Sequence, residues 1–451
     1  MKLVYNVNDK PGLWKTIVFA LQQMLAILAA TIAVPAIIGN GMSQSAALFG
    51  AGVGTLVYLL FTKFKSPVFL GSSFAFLGSM GAAFAGAASL AVGYLGLIIG
   101  AILAGLVYVI IAIVIKFAGT NWIDKIMPAA VIGPTVAIIG LSLSGNAAGD
   151  LLKGSVGEYV AGVFVPNASP YVALICGLVT LFTVIVCSVY GKKMLKMIPF
   201  IIGIVAGYIV AAIFTVIGNV ASIPALQVIN FGLFANMEWI PDFTFIKAFS
   251  GIQDLTASYF VTILVAYVPV AFVVFAEHLS DHKNISSIIE NDLTKDPGLH
   301  RTLLGDGIGS MAGAFFGGCP NTTYGESVGC VAISGNASVV TIFTTAIICL
   351  ISSFFGPFVT FLATIPSCVM GGVCVALYGF IAVSGLKMIQ KVDLGDNRNL
   401  FVVSVILIAG VGGLKLTFGD ITITSIACAL ILGIITNLIV NIKCKKENIE
   451  E

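Results

Sequence analysis

Long uncharged apolar runs, separated by short polar segments, dominate this sequence. Residues 90–115, for example, contain no charged side chain. Only 9% of the 451 residues are charged and 59% are hydrophobic, whereas a soluble domain carries roughly 25% charged residues. Such a chain cannot cover itself with a polar surface. The sequence therefore predicts an integral membrane protein in a lipid bilayer.

Apolar runs long enough to cross a bilayer recur along the whole chain. A spanning helix needs about 20 apolar residues. Two stretches, 66–84 and 320–335, are apolar but are interrupted by small and polar residues. We expect spanning helices near 15–39, 45–62, 86–115, 127–147, 170–190, 197–219, 256–281, 301–318, 337–354, 356–381, 399–416 and 421–442. Together they predict an all-α integral membrane protein with fourteen transmembrane segments.

The positions of lysine and arginine test this count. With the N-terminus inside, nineteen of the 22 basic residues fall on the cytoplasmic side of the membrane. The other side receives only three, Lys153, Lys247 and Lys415. Cytoplasmic loops of membrane proteins are enriched in basic residues, so the asymmetry supports the count. The polar start of the chain shows no cleavable signal pattern. We expect a multi-pass protein of the cytoplasmic (plasma) membrane with both termini in the cytoplasm.

Several function classes lack the sequence features that they need. The net charge of +2 gives no basic patch for nucleic acid. The nine cysteines form no CxxC pair, and no HExxH or paired Cys/His spacing occurs, so neither a disulfide framework nor a metal or cofactor site is expected. The absence of a GxxxxGK[ST] motif leaves ATP-driven transport unsupported. No nucleophile–base set appears in the spans, so we do not expect an enzyme.

The two interrupted segments resemble each other. Residues 72–74 read Ser-Ser-Phe and residues 322–324 read Thr-Thr-Tyr. These are the third and tenth crossings, and the odd number of crossings between them means that the two halves of the chain run in opposite directions. In transporters, such inverted seven-segment repeats tend to place the substrate site at broken spans near the midplane. Chance similarity between Gly- and Ser-rich stretches is the alternative.

Both interrupted segments are poor helix formers. Gly71, Pro320, Gly325 and the two threonines favour extended backbone. Extended backbone survives at membrane depth only where it is buried in protein or faces a water-filled cavity. We therefore expect short strands in segments 3 and 10 that partly pair with each other, and we expect their remaining amides to face a ligand.

Three carboxylates, Glu277, Asp281 and Glu326, lie in or close to apolar sequence. The spacing of four places Glu277 and Asp281 on one helical face. An acid within the membrane is costly, so a functional role is the default interpretation, and neighbouring acids can take up and release protons. Asp281 lies about one turn from the expected helix end, where simple solvation is the alternative. Asp306 is a marginal fourth candidate.

The three histidines are expected to be solvated or satisfied by their neighbours. His278 should face a different side of the helix from Glu277. His282 and His300 are assigned to the cytoplasmic loop that follows. No metal-binding spacing connects them, so we expect no metal site there.

Several motifs carry a resemblance to a known family. The runs FAEHLSD, NDLTKDPGLHRTLLGDG, GGCPNTTYGESVG and IPSCVMGGVCVALYG resemble the uracil permeases of the nucleobase–ascorbate transporter (nucleobase:cation symporter) family. GSSFAF and LQQMLAILAATIAVP resemble the third and first spans of that family. The resemblance extends through nearly the whole chain and is strongest over 275–380. NTTYGE resembles the uracil branch, because the xanthine and uric acid branch typically has a Gln-Asn-x-Gly motif there.

The resemblance implies how the segments are divided. Segments 1–4 (residues 1–118) and 8–11 (255–355) would form a core domain. Segments 5–7 (119–254) and 12–14 (356–451) would form a gate domain. The short strands in segments 3 and 10 would hold the substrate, and a homodimer would form through the gate domain.

The resemblance also implies which residues bind the substrate. Phe74 would stack on the pyrimidine ring. Glu277 and Glu326 would hydrogen-bond its imide and carbonyl edge, and the backbone amides at Tyr324 and Gly325 would assist.

Four further positions have implied roles by the same resemblance. Asp281 stands where the family has a His or an Asp linked to proton coupling. Ser327 replaces a common Asn and Ser334 a common Thr, so fine selectivity is open. Tyr378 is a candidate for the cavity wall.

The implied function is import of uracil by proton symport, with Glu277, Asp281 and Glu326 as proton-coupling groups. An ionised carboxylate accepts a hydrogen bond from an N–H, and a protonated one can donate to a carbonyl. A xanthine or uric acid permease of the same fold is the main alternative. An anion carrier is disfavoured because neither interrupted segment contains Lys or Arg. A channel is a further alternative, since Gly-rich broken spans also form filters.

Overall fold

The chain folds mainly into helices. A computed structural model describes residues 3–119, 122–160, 163–192, 194–418 and 421–442. The helices before residue 250 are α1 (Leu13–Ile38), α2 (Gln44–Phe61), α3 (Leu77–Ala85), α4 (Leu90–Ala118), α5 (Ile123–Ile126), α6 (Ala129–Ser142), α7 (Ser144–Asp150), α8 (Pro170–Tyr190), α9 (Met194–Met197), α10 (Pro199–Ala221) and α11 (Thr244–Phe249).

The second half of the chain continues in the same way. Its helices are α12 (Ala257–Ile289), α13 (Leu299–Gly317), α14 (Gly325–Ser334), α15 (Val339–Ser352), α16 (Gly356–Thr364), α17 (Ser367–Ile389), α18 (Asn397–Val411) and α19 (Ser425–Ile442). Short 3₁₀ turns precede α3 at Phe74–Phe76 and lie in the segment before α12 at Pro224–Leu226, Phe231–Asn236 and Ile252–Asp254.

The strands are short and form antiparallel pairs. They are β1 (Leu70–Ser72), β2 (Gly157–Val160), β3 (Val163–Pro166), β4 (Asn321–Thr323), β5 (Leu416–Phe418) and β6 (Ile421–Ile423). β2–β3 and β5–β6 are local hairpins that the sequence did not predict. β1 and β4, in contrast, come from the two interrupted segments and pair across the two halves of the chain.

The helices have the length and composition of membrane spans. Within the described ranges, nine qualify, with α6 and α7 taken as one, and the bent pair α15–α16 is a tenth candidate. The expected fold class, a helical membrane protein, is confirmed, whereas the count of fourteen segments stays a prediction. Five of the basic residues that support the count and one of the nine cysteines lie outside the described ranges: Lys2, Lys193, Lys443, Lys445, Lys446 and Cys444.

The expected span 356–381 is wrong as one helix. The structure divides it into α16 and α17, and α15 and α16 are bent by 85° to each other. Ile365 is extended, with ψ 116°, and Pro366 follows it. Proline disfavours helical backbone at the residue before it, which favours a break between the two helices at this point.

The expected end of the helix at 281 is also wrong, because α12 continues to Ile289. Asp281 therefore lies about two turns from the helix end. His282, expected in a loop, is inside α12, and its side chain is fully buried, as is that of Ile285. Buried residues at helical spacing extend the packed face of α12 beyond the uncharged run, which explains the longer helix.

The helices pack in two groups. In one group, α2 and α4 contact α13, and α4 contacts α12. In the other, α6 and α8 contact α17, α8 contacts α10, and α18 contacts α19. Small residues bring α2 and α13 into backbone contact, since a Cβ added to Gly54 would lie 2.7 Å from the carbonyl oxygen of Gly309. Asn321 of β4 donates from Nδ2 to the carbonyl of Gly50 in α2 at 3.0 Å.

Replacing Gly54 with alanine should destabilise the protein by about 1–3 kcal/mol, because the added methyl group overpacks the contact between α2 and α13. The melting temperature of the purified protein in detergent measures the effect. Gly81→Ala is the matched control, since Gly81 also lies in a helix and a Cβ there meets nothing within 4 Å. An equal loss in both variants would contradict the close packing described here.

Candidate substrate site

The two interrupted segments meet as strands in the interior of the protein. β1 and β4 pair antiparallel, with Leu70 opposite Thr323, Gly71 opposite Thr322 and Ser72 opposite Asn321. Two more backbone hydrogen bonds extend the ladder, from the Ser73 amide to the Pro320 carbonyl at 2.9 Å and from the Tyr324 amide to the Phe69 carbonyl at 3.1 Å. The pairing satisfies extended backbone that lipid would not tolerate.

The Tyr324 side chain fixes the two strands against each other. Its ring lies directly over Gly71, where an added Cβ would collide with the ring carbons. Its hydroxyl donates to the Ser72 carbonyl at 2.8 Å. The ring is therefore a structural element of the strand pair, and only the backbone of Tyr324 is available to a ligand.

The hydrogen bonds reveal a local two-fold relation between the strands. The bond from Ser73 to Pro320 corresponds to the bond from Tyr324 to Phe69. This relation equates Ser73 with Tyr324, so the expected match of Ser72-Ser73-Phe74 with 322–324 is wrong by one residue. By extension, Phe74 corresponds to Gly325, and Ala75 corresponds to Glu326. Tertiary pairing, which sequence similarity over three residues cannot resolve, sets the true offset.

A cavity of about 310 Å³ lies beside the strand pair. All the residues expected to bind the substrate or to couple protons line it: Phe74, Glu277, Asp281, Tyr324, Gly325 and Glu326. The volume lies at the lower end of the range for small-molecule sites, about 300–1,000 Å³. The geometry thus brings the expected residues together from the 3₁₀ turn before α3, from α12 and from the start of α14, while their individual roles stay predictions.

The carboxylates lie on two helices at the cavity. Glu277 and Asp281 come from α12, and Glu326 comes from the first turn of α14. Asp281 is 7% exposed and accepts a hydrogen bond from the Thr323 hydroxyl at 2.9 Å, so it is not a solvated group at a helix end. Glu277 and Glu326 are half-buried at the cavity wall. Three acids from different turns therefore share one small space.

The start of α14 supplies hydrogen-bond donors. The first helical hydrogen bond runs from the Val328 amide to the Tyr324 carbonyl, so the amides of 325–327 precede the helical ladder. Gly325 is exposed, and a Cβ there would meet only Asp281, at 3.8 Å. The missing side chain leaves room for a ligand to approach these backbone donors.

Tyr378 supports the site instead of lining it. Its ring packs edge-to-face on Phe74, with ring centroids 5.6 Å apart, and it is absent from the cavity wall. The expectation that Tyr378 forms the wall is therefore wrong. The ring of Phe74 borders the cavity and is held from behind by Tyr378.

Ser327 and Ser334 have local structural contacts. The Ser327 hydroxyl accepts hydrogen bonds from Gln23 Nε2 at 2.5 Å and from the Phe69 amide at 3.0 Å. The Ser334 hydroxyl accepts from the Asn336 amide at 3.1 Å, at the end of α14. Neither serine lines the cavity. Ser327 instead ties α14 to α1 and to the residue before β1.

The opposite wall consists of residues that the sequence did not single out. It is mostly apolar and includes Val136, Ile139, Phe200, Leu377 and Ile381. Two polar residues, Ser384 and the exposed Lys196, lie on the same side. No sequence signal distinguishes an apolar residue that faces a cavity from one that faces the core. Lys196 is one of the basic residues that indicated the cytoplasmic side, and nothing in its sequence context pointed to a cavity.

Spanning helices, two strands paired in the interior and a carboxylate-lined cavity between helix groups define a multi-pass membrane transporter. The chain belongs to the Permease family, whose model matches residues 14–418. The resemblance found in the motifs is thus confirmed, and the protein is a transporter and not an enzyme.

Relatives match along almost the whole chain. The uracil permease of Bacillus caldolyticus is 38% identical over 443 residues, which are 97% of this chain and 95% of that protein. The uracil permease of Bacillus subtilis (strain 168) is 37% identical, covering 97% of this chain and 95% of that protein. The uracil permease of Escherichia coli (strain K12) is 34% identical, with 96% and 93% covered.

Solved structures share the fold at low sequence identity. The transmembrane domain of the cyanobacterial bicarbonate transporter BicA superposes with a TM-score of 0.63 at 17% identity, over 96% of this chain and 100% of that chain. Murine solute carrier 26 family member A9, an anion transporter in the inward-facing state, gives a TM-score of 0.65 at 14% identity, over 96% and 69%. Both likenesses concern the fold alone.

The Tyr324→Phe substitution should lower stability by about 0.5–1.5 kcal/mol, because it removes the hydrogen bond to the Ser72 carbonyl. Tyr267→Phe is the control, since among the described residues no group hydrogen-bonds to the buried Tyr267 hydroxyl. Melting temperatures of the two purified variants give the comparison. A larger loss in Tyr267→Phe than in Tyr324→Phe would refute the structural role of the Tyr324 hydroxyl.

Proposed function

We propose that this permease imports uracil across the cytoplasmic membrane by symport with protons. The observation that carries the proposal is the set of three carboxylates, Glu277, Asp281 and Glu326, on one cavity beside Phe74 and the backbone donors of α14. The relatives named uracil permeases, at 34–38% identity over nearly their whole length, point to the same substrate.

The chemistry of the cavity suits a flat ring with alternating donors and acceptors. Uracil has two N–H donors and two carbonyl acceptors. Glu277 and Glu326, on separate helices, accept from N–H groups when ionised and can donate to a carbonyl when protonated. The amides near Gly325 donate to a carbonyl, and Phe74 stacks on the ring. Each edge of the pyrimidine then has a partner.

The same acids supply the coupling to protons. Asp281 already accepts a hydrogen bond from Thr323, and the other two acids border the cavity half-buried. Three negative charges in so small a volume would repel one another. Protonation of one or more of these acids relieves the repulsion and favours the binding of a neutral ligand. Protonation and substrate binding then support each other, as symport requires.

Movement of one helix group against the other would complete the cycle. We propose that residues 1–118 and 255–355 form a core domain and residues 119–254 and 356–451 a gate domain. The cavity lies between α12 and α14 on the core side and α6, α10 and α17 on the gate side. Rocking of the core around a fixed site would expose the cavity to each side in turn.

We propose that the state described here opens to the cytoplasm. Lys196 and Met388 line the cavity at the end where α9 and the last turn of α17 carry basic residues. Basic residues mark the cytoplasmic side. Both termini are proposed to lie on this side, and the membrane is proposed to be the plasma membrane.

We also propose a homodimer formed through the gate domain. In α8 and in α10, only 33% of the residues in an apolar stretch of 18 are buried within one chain. These faces are available to lipid and to a second copy. The native mass of the protein in lipid nanodiscs distinguishes a dimer from a monomer.

Uptake of labelled uracil into proteoliposomes tests the proposed function. Wild-type uptake should require an outside-acid pH gradient and should be competed by unlabelled uracil more strongly than by xanthine. Glu326→Gln should lower uptake at limiting uracil by about 10- to 100-fold, because a hydrogen bond to a charged group is worth about 1.5–3 kcal/mol. Glu238→Gln, on an exposed loop residue, is the matched control and should transport normally.

Three outcomes would contradict this proposal in different ways. Uptake that ignores the gradient would remove proton symport. Carriage of xanthine in place of uracil would leave the fold and change the substrate. Conduction far above carrier rates, with no substrate-driven proton flux, would indicate a channel.

Cysteine labelling tests the direction in which the cavity opens. Ser384→Cys, in a background without native cysteines, should react with a membrane-impermeant maleimide applied from the cytoplasmic side, because Ser384 is exposed in the cavity. Uracil should slow the reaction. Preferential labelling from the outside would reverse the assigned orientation. Gln390→Cys, exposed at the end of α17 and outside the cavity wall, is the control for protection by uracil.

A further inference from the structure

A pair of stacked histidines lies beside the acids of α12, away from the cavity. His278 and His282 are fully buried, and their ring centroids are 3.9 Å apart. They follow Glu277 and Asp281 directly in sequence, so they occupy the adjoining face of the same helix. Neither histidine lines the cavity. α12 thus has an acidic face toward the cavity and an imidazole face toward its neighbouring helices.

The contacts of His278 favour one arrangement of its protons. The Thr302 hydroxyl is placed to donate to the Leu299 carbonyl at 3.0 Å. In that arrangement His278 Nε2, 3.0 Å from the Thr302 oxygen, carries a proton and donates to it. His278 Nδ1 lies 2.7 Å from Asp306 Oδ2, and this contact needs one further proton on either atom. The pair of His278 and Asp306 accordingly holds one shared proton and has no net charge.

The surroundings of Asp306 favour the carboxylic acid form. Asp306 is fully buried, and no described residue hydrogen-bonds to its Oδ1. An ionised carboxylate with an unsatisfied oxygen is costly in the interior, whereas a protonated one that donates from Oδ2 to Nδ1 leaves both partners neutral. Tyr108 of α4 packs its ring on His278 with centroids 6.2 Å apart and contributes no charge.

His282 continues the network toward α2. Its Nδ1 lies 2.8 Å from the His278 carbonyl, which can only accept, so Nδ1 carries the proton. Nε2 of the neutral ring then accepts from the Tyr58 hydroxyl at 2.7 Å. Tyr58 in turn accepts from the Ser66 hydroxyl at 2.6 Å. From Ser66 through Tyr58 and His282 to the His278 carbonyl, each group thus donates one hydrogen bond to the next.

We propose that this network is a neutral positioning device for the cavity acids, in which Asp306 keeps its proton throughout transport. Hydrogen bonds between His282 and α2 and between His278 and α13 hold α12 at one rotation about its axis, with Glu277 and Asp281 toward the cavity. The proposal rests on the proposed function only in naming these two acids as the coupling groups.

The titratable groups that face the network are few. They are Tyr58 on α2, Tyr108 on α4, and Glu277 and Asp281 on the adjoining face of α12. No lysine or arginine of the described residues forms an ion pair with Asp306. A charge change at Asp306 during transport would therefore lack a compensating partner.

Transport by three variants tests the positioning role. Asp306→Asn can still donate from its amide to His278 Nδ1, so proton-driven uracil uptake should keep the wild-type dependence on pH, with KM changed by less than about 3-fold. Asp306→Ala removes the donor and should raise KM by about 10-fold. His300→Gln, on a histidine outside the network, is the control. Binding of uracil by Asp306→Asn without proton-driven uptake would overturn the proposal, because Asp306 would then be a coupling group.

A measurement without substrate tests the proton positions directly. Protein with ¹⁵N-labelled histidine and the His300→Gln substitution, in lipid nanodiscs, should give two imidazoles that both stay neutral between about pH 5 and pH 8. His278 should be protonated at Nε2 and His282 at Nδ1, and Asp306→Ala should shift mainly the His278 signals. An imidazolium signal from His278 would mean that Asp306 is ionised and would refute the proposal. If the wild type does not bind uracil, the proposed function fails, while the signals still decide the charge state.

Discussion

The requirement that every backbone hydrogen bond be satisfied inside a membrane governs this structure. Two short helices, α3 and α14, begin in the interior of the protein, and the strand that precedes each of them is extended backbone that lipid cannot hydrate. The pairing of Leu70–Ser72 with Asn321–Thr323 satisfies that backbone. The strand pair also needs space. The helices α2 and α13 pack closely through glycines beside it, and the absence of a side chain at Gly71 leaves room for the ring of Tyr324. Once the strands are paired, α14 has to begin at the cavity, and its first amides are available there.

The two-fold relation between the strands is geometric and not chemical. Phe74 lies where the other half has Gly325, and Ala75 lies where the other half has Glu326. One repeat thus brings an aromatic surface and the other brings a carboxylate with unshielded amides. A flat, polar ligand needs both kinds of contact at once. Divergence of two equivalent positions therefore creates a site that two identical halves would not offer.

Part of this arrangement follows from sequence, and part depends on tertiary contacts. Glu277 and Glu326 stand out because an acid in apolar sequence is costly, and the broken spans stand out because glycine and proline interrupt helices. The end of α12 was misjudged because His282 satisfies its polar atoms through Tyr58, a partner distant in sequence. Tyr378 was misassigned because the sequence cannot distinguish two positions that both suit a tyrosine. One is packed behind Phe74, and the other faces a cavity.

In the proposed mechanism, the two faces of α12 separate the acids that exchange protons from the acid that does not. Glu277 borders the cavity, so its charge would be balanced by water or substrate there. Asp306 is sealed behind the helix, where its proton is shared with His278 and its second oxygen has no partner among the described residues. A group that cannot exchange protons with the cavity cannot change its charge when a substrate binds there. In the proposed mechanism, contact with the cavity, and not the mere presence of an acid in the membrane, therefore distinguishes coupling residues from structural ones.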